Sequence, residues 1–223
     1  MPRLLSPEDL TCGWRLEETA FRRGFTVVAG TDEAGRGALL GPLYVAAVIL
    51  DKTRPIPGTD DSKKLLPQER LRLSLEILEK AVAHHVVAIP TWEVDALNIY
   101  EASRQGMIRA LQALVPQPEF ILTDAMRLNT RKPGLATPHW AIIKGDARSV
   151  SIAAASILAK VARDAHLREL HQQYPHYNLA QNKGYGTPEH LEALARFGPC
   201  QEHRRTYQPV KDILSPRLPF SSA

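Results

Sequence analysis

The sequence predicts an α/β protein in which strands and helices pack as layers of one domain. Three observations carry that prediction. Apolar segments of strand length recur at 26–31, 43–50, 85–89, 120–123 and 139–143. Segments with apolar residues at helical spacing stand between and after them. The 223 residues hold no internal repeat or low-complexity tract and suffice to bury one sizeable core without staples.

Taken in order, the first ~25 residues are charged, end in Phe21-Arg22-Arg23-Gly24-Phe25, and read as an amphipathic lead-in. Thr26 to Thr31 reads as a buried strand that delivers Asp32 and Glu33 at its end. Gly35, Gly37, Gly41 and Pro42 then punctuate a turn before a second strand, Leu43 to Leu50. A helix opens at Pro67, a favoured first helical residue, with Leu71, Leu75, Leu78 and Val82 as its apolar stripe. His85 to Ile89 is a third strand that ends at Pro90.

A helix from about Tyr100 to Val115 places Met107, Ile108, Leu111 and Leu114 inward. Pro116 and Pro118 lead into the strand Phe120 to Thr123, which delivers Asp124. Another strand, His139 to Ile143, delivers Lys144-Gly145-Asp146. The longest helix runs from near Ser149 to about Gln172, with Val150, Ala154, Ile157, Val161 and Leu170 on its apolar face. Thr187 caps a final proline-started helix that reaches about Phe197.

Composition excludes several classes. Cys12 and Cys200 lie far apart without metal-type spacing, which argues against a disulfide framework and fits a reducing cytoplasm. No apolar run approaches the ~18 residues that cross a bilayer, and the start lacks a signal-peptide core, so the expectation is a soluble cytoplasmic protein. The net charge of +4 is unevenly placed. Residues 1–100 hold 12 basic and 14 acidic residues, whereas residues 101–223 hold 16 and 10. A basic second half suits a polyanion, although charge alone does not separate that from a solvated face. None of the eight histidines forms a zinc-type ligand set.

Three strand-like segments end in acids: Asp32–Glu33, Asp124 and Asp146. Such strand ends are where the sites of open α/β sheets gather. Carboxylates suit hard divalent ions, and two such ions ~3.5–4 Å apart clamp the attacking and leaving oxygens of a phosphodiester. Taken singly, Asp124 and Asp146 read more readily as surface or capping acids, and spacing alone leaves the choice open.

Further blocks give those acids a context. Gly30-Thr31-Asp32-Glu33-Ala34-Gly35-Arg36-Gly37 closely resembles the signature of type 2 ribonuclease H, the bacterial ribonuclease HII family. In matching order follow Asp61-Ser62-Lys63-Lys64-Leu65, the strand into Asp124, and Lys144-Gly145-Asp146 with 151–164. Gly184-Tyr185-Gly186-Thr187-Pro188-Glu189-His190 and His203-Arg204-Arg205-Thr206-Tyr207-Gln208-Pro209-Val210 close the series. The match spans about 26–211. Ala38 departs from it where a proline is usual, which would loosen that turn, and Asp124 is followed by Ala125-Met126 rather than a glycine-containing turn.

The resemblance implies an RNase H-like fold: a mixed five-stranded sheet flanked by helices, with a C-terminal helical extension. The divisions are a lead-in at 1–25, a catalytic core at 26–173, a helical part at 174–211 and a flexible tail at 212–223. The implied activity is two-metal, in-line hydrolysis 5′ to a ribonucleotide, in RNA–DNA hybrids or embedded in duplex DNA. It leaves 3′-hydroxyl and 5′-phosphate ends and uses Mg²⁺ or Mn²⁺, as in ribonucleotide excision or primer removal. The implied metal ligands and catalytic residues are Asp32, Glu33, Asp124 and Asp146. Asp164, well inside a helix beside Arg163, is instead given a structural ion pair.

Gly35 and Gly37 lack a Cβ, so their backbone can approach a sugar, and with Arg36 they are expected to read the 2′-hydroxyl. Tyr185, between glycines, is expected to stack at the ribo–deoxy junction. Ser62 and Lys63, with Lys64, Arg163, Lys183, Arg204 and Arg205, form a group of candidate phosphate contacts. His190 and His203 are placed near the site; His84, His85, His171 and His176 are surface or packing residues. The chain is expected to act as a monomer. Leu218-Pro219-Phe220 in the tail suggests docking on a replication partner, with simple terminal disorder the favoured alternative. The rival functions are another RNase H-fold DNA nuclease and a non-catalytic nucleic-acid-binding module.

Overall fold

The computed structural model describes residues 11–129 and 134–215. The Leu218-Pro219-Phe220 expectation therefore lies outside the described residues. Five strands form one mixed sheet in the order β3-β2-β1-β4-β5. They are β1 (Val28–Ala34), β2 (Leu43–Ile49), β3 (Ala83–Ile89), β4 (Phe120–Asp124) and β5 (His139–Ile142). β1, β2 and β3 pair antiparallel, while β4 is parallel to both β1 and β5.

Both sheet faces are covered, so β2 reads as a continuous apolar run rather than an alternating one. Leu43, Val45, Ala47 and Ile49 face α4 (Ile99–Gln112), where Met107, Ile108 and Leu111 are buried as the periodicity predicts. Ala46 and Val48 face α2 (Pro67–Lys80) and the 24-residue α5 (Val150–Gln173), joining Leu73, Ile77, Ala154, Ala155, Ile157 and Leu158. Gly30 lies where β1 meets α5, and a Cβ there would stand 2.1 Å from the carbonyl carbon of Ser151. Strand and helix backbones thus meet directly.

The sheet and the main helices lie where the sequence predicts them, with four differences. β1 does not stop before its acids: it pairs with β2 as far as Ala34–Tyr44, so Asp32 and Glu33 sit inside the strand. The predicted α2 stripe is turned outward, with Leu71 52% and Leu75 61% exposed. Two apolar stripes compete on that helix, and Ala154 and Leu158 of α5 select Leu73 and Ile77. The turn at Ala38 is not loosened, because the Ala38 N–H donates to the Gly35 carbonyl at 3.3 Å, a bond that proline cannot make. Lastly, α1 (Arg15–Arg22) is a helix with Glu17 and Ala20 buried.

Three short helices escape the periodicity rules: α3 (Thr91–Leu97), α6 (Leu179–Asn182) and α8 (Gln208–Leu214). Each is at most two turns long, too short for an apolar stripe to repeat. α7 (Pro188–Phe197) is as predicted, with the Thr187 hydroxyl accepting from the His190 N–H. Among the described residues, no helix is long and apolar enough to cross a membrane.

Candidate active site

The four acids of the sequence prediction converge at one end of the sheet. In the parallel β1–β4 pair Thr31 faces Thr123, so Asp32 and Asp124 are the next residues on adjacent strands and share a face. Glu33 follows Asp32. Asp146 comes from a 3₁₀ turn (Gly145–Ala147) between β5 and α5. Asp124 holds that turn, as its Oδ1 accepts the Gly145 N–H at 2.8 Å. A Cβ on Gly145 would press on the end of the Ile152 side chain at 2.6 Å and stand 3.4 Å from the Asp124 Cα, so the turn packs closely there.

The charges feel one another. Burial pushes the Asp32 carboxyl well above the usual carboxylate range, and Glu33 and Asp124 add to this. Burial pushes Glu33 up to about 7; Arg36 opposes this and Asp124 reinforces it. Asp124 is raised by burial, with the Gly145 N–H opposing and Asp146 adding. Lys63 tempers the cluster: its ammonium lies 3.1 Å from Asp146 Oδ2. Burial acts against the Lys63 charge, but Asp146, Asp61 and Asp32 outweigh it and raise its pKa.

Divalent cations fit this donor set. All four groups offer hard oxygens, and Glu33 Oε2 is buried with no hydrogen-bond partner. Among the described residues, no three His, Cys, Asp or Glu side chains are closed around one point as a finished cage.

Behind the acids lies a hydroxyl pair that the sequence reading assigned differently. The Ser62 side chain faces inward, 2.9 Å from the Ser156 hydroxyl, and Ser156 opposes part of the rise in the Asp32 pKa. Ser62 is therefore buried behind the acids rather than turned toward a phosphate path. Ser156 was missed; two serines on the buried apolar face of α5 are the signal that marks it. Asp164 takes its ion pair from Lys160 at 2.7 Å.

The Gly35-Arg36-Gly37 loop borders this cluster. Arg36 donates to Glu33 Oε1 at 3.2 Å, Gly35 has φ +94°, and Arg36 and Gly37 are exposed. Gly37 faces Tyr185, which is 40% exposed. Two arginines expected among the phosphate contacts are instead buried clamps. Arg163 donates to the carbonyls of Leu40, Pro42 and Lys183 and lies 5.6 Å from the Tyr185 ring centre. Arg204 donates to the carbonyls of Arg36 and Gly41. A guanidinium's five donors suit this bridging of loop carbonyls, which sequence spacing does not reveal. Lys63, Lys64 and Arg205 remain exposed, and Lys183 is half-buried.

His190 and His203 are buried near the site as a bonded pair. The Cys200 N–H donates to His203 Nδ1 at 3.0 Å, which leaves the proton on His203 Nε2. His203 Nε2 then donates to His190 Nε2 at 3.2 Å, and His190 Nδ1 donates to the Tyr185 carbonyl at 2.9 Å. Burial lowers His203 to about 4 and His190 in the same direction, so both rings are neutral at pH 7.

Residues 29–210 match the family model described as ribonuclease HII. A ribonuclease HII of Geobacillus thermodenitrificans is 50% identical over 200 residues, covering 90% of this chain and 75% of the relative. The crystal structure of the ribonuclease H2 from Pyrococcus horikoshii superposes with a TM-score of 0.71 at 29% identity, over 84% of this chain and 97% of that one. The ribonuclease HII of Archaeoglobus fulgidus, solved in complex with PCNA, gives 0.68 at 27% identity, over 82% and 95%.

Proposed function

The chain belongs to the ribonuclease HII family and is a type 2 ribonuclease H, and from that premise we propose that it cuts 5′ to a ribonucleotide in duplex DNA or an RNA–DNA hybrid. One observation carries the substrate reading: Arg36 ties the glycine loop to Glu33 while Gly37 faces Tyr185. The groups suited to sense a ribose thus adjoin the groups suited to hydrolysis.

Asp32, Glu33, Asp124 and Asp146 would hold the cations. When bound, two divalent ions such as Mg²⁺ or Mn²⁺ supply charge to activate water and stabilise the leaving 3′-oxygen. The chain's own groups do the rest. The Gly35-Arg36-Gly37 backbone, held by Arg163 and Arg204, meets the 2′-hydroxyl, a group that DNA lacks. Tyr185 stacks at the junction, and Lys63, Lys64 and Arg205 line the phosphate path. In-line attack leaves a 3′-hydroxyl and a 5′-phosphate. Activity as a monomer is part of the same reading. The Archaeoglobus neighbour's complex with PCNA supports a replication partner, for which the tail is the candidate.

The test is a DNA duplex carrying one ribonucleotide, with and without Mg²⁺. The reading expects a single Mg²⁺-dependent cut on the 5′ side of the ribonucleotide. Equal cutting of an all-DNA duplex would favour a DNA nuclease; binding without any cutting would favour a non-catalytic module.

A further inference from the structure

We propose that Glu17, on α1, is a positioning residue that holds the Asp146 turn from behind through the first residues of α5. The inference rests on the four-carboxylate reading of the site. Asp146 stands on a three-residue turn, and Asp124 grips only one side of it, at Gly145. The other side leads through Ser149, whose N–H donates to the Gly145 carbonyl at 2.9 Å.

Glu17 fixes that serine. The Ser149 hydroxyl donates to Glu17 Oε1 at 2.5 Å, and the same oxygen accepts the Ser151 N–H at 3.0 Å. A hydroxyl has one proton, so sending it to Glu17 turns a lone pair toward the helix, where it accepts the Ile152 N–H at 3.1 Å. The cap that starts α5 thus depends on a residue of another helix. Gly13, just before α1, adds a second tie by accepting the Val150 N–H at 3.3 Å.

Glu17 is fully buried, and its Oε2 has no hydrogen-bond partner. A buried carboxyl with one oxygen unmatched is a poor stabiliser on its own account. Its effect is geometric: it locks the segment from Gly145 to Ile152. Gly30 of β1 abuts that segment at Ser151, so displacement there also reaches the strand carrying Asp32.

The experiment is Mn²⁺ titration by calorimetry on the full chain, alongside kcat and KM on the single-ribonucleotide duplex. Glu17→Ala is expected to weaken Mn²⁺ binding about tenfold and lower kcat with KM unchanged, the scale of lost outer-shell support. Glu17→Gln keeps an acceptor oxygen and should recover most of that loss, a rescue that bulk packing alone does not produce. Ser149→Ala should reproduce Glu17→Ala and serves as the test if Glu17→Ala does not fold. Wild-type Mn²⁺ affinity in a folded Glu17→Ala or Ser149→Ala protein overturns the proposal. Asp146→Asn is the reference: if it also leaves Mn²⁺ affinity unchanged, the four-carboxylate reading itself fails, and this inference with it.

Discussion

The Cβ that Gly35 lacks would stand 2.0 Å from Nε of Arg163. The glycine therefore does more than permit φ +94°. It makes room for the guanidinium that bonds Leu40, Pro42 and Lys183 and lies against Tyr185. The loop suited to reading ribose and the tyrosine beside it are joined by one arginine.

Gly35→Ala should accordingly hurt twice. The left-handed backbone alone costs about 1–2 kcal/mol with a Cβ, and displacing Arg163 adds to it. A fall in Tm of roughly 4–8 °C is expected. Cleavage of the single-ribonucleotide duplex should fall further than the folded fraction does. A variant with wild-type Tm and activity would refute this account of the loop.

Asp124→Asn removes a charge but keeps an oxygen to accept the Gly145 N–H. Cleavage should fall by more than the ~10–100-fold that loss of an outer-shell partner costs. With a chelator present, Tm should not fall, since one member of a mutually repelling buried group has become neutral. Full activity in this variant would remove Asp124 from the site.

Glu33 carries a pH signature. Its carboxyl is raised from 4.5 to about 7, so the folded state holds the proton more tightly than the unfolded chain. That contribution to stability is present below pH ~4.5 and is lost as pH rises toward 7. In chelator, Glu33→Gln should therefore melt above wild type at pH 8, and the difference should close near pH 4.5. A Glu33→Gln protein that melts below wild type at pH 8 would contradict the burial argument.

The buried histidine pair acts in the opposite sense. His203 is lowered from 6.5 to about 4, so between those values the unfolded chain binds the proton that the folded ring refuses. Stability is complete above pH ~6.5 and declines as pH falls toward 4, by up to about 3 kcal/mol. His203→Gln cannot titrate and should flatten that acid limb, while lowering Tm at pH 7.5 through the lost bond to His190. An unchanged acid limb would show that the pair does not set it.

Much of this was legible in residue order. Strand-length apolar runs placed all five strands, most plainly β2, where cover on both faces demands uninterrupted apolar residues. Asp32, Glu33, Asp124 and Asp146 could be named because strand ends and matching blocks marked them. Three features were hidden from residue order for one physical reason. The outward Leu71–Leu75 stripe, the inward Ser62 and the buried Arg163 and Arg204 all depend on which partner faces which side.

The sequence by itself determined the strands, the longer helices, the acids and the glycine loop, since propensity, periodicity and motif act over a few neighbouring residues. Only the tertiary structure decided that Arg163 fills the space beside Gly35, that Ser156 backs Asp32, and that His203 reaches Tyr185 through His190. These contacts join residues far apart along the chain. Each depends on burial and on the direction of single hydrogen bonds, which exist only once the sheet and helices have packed.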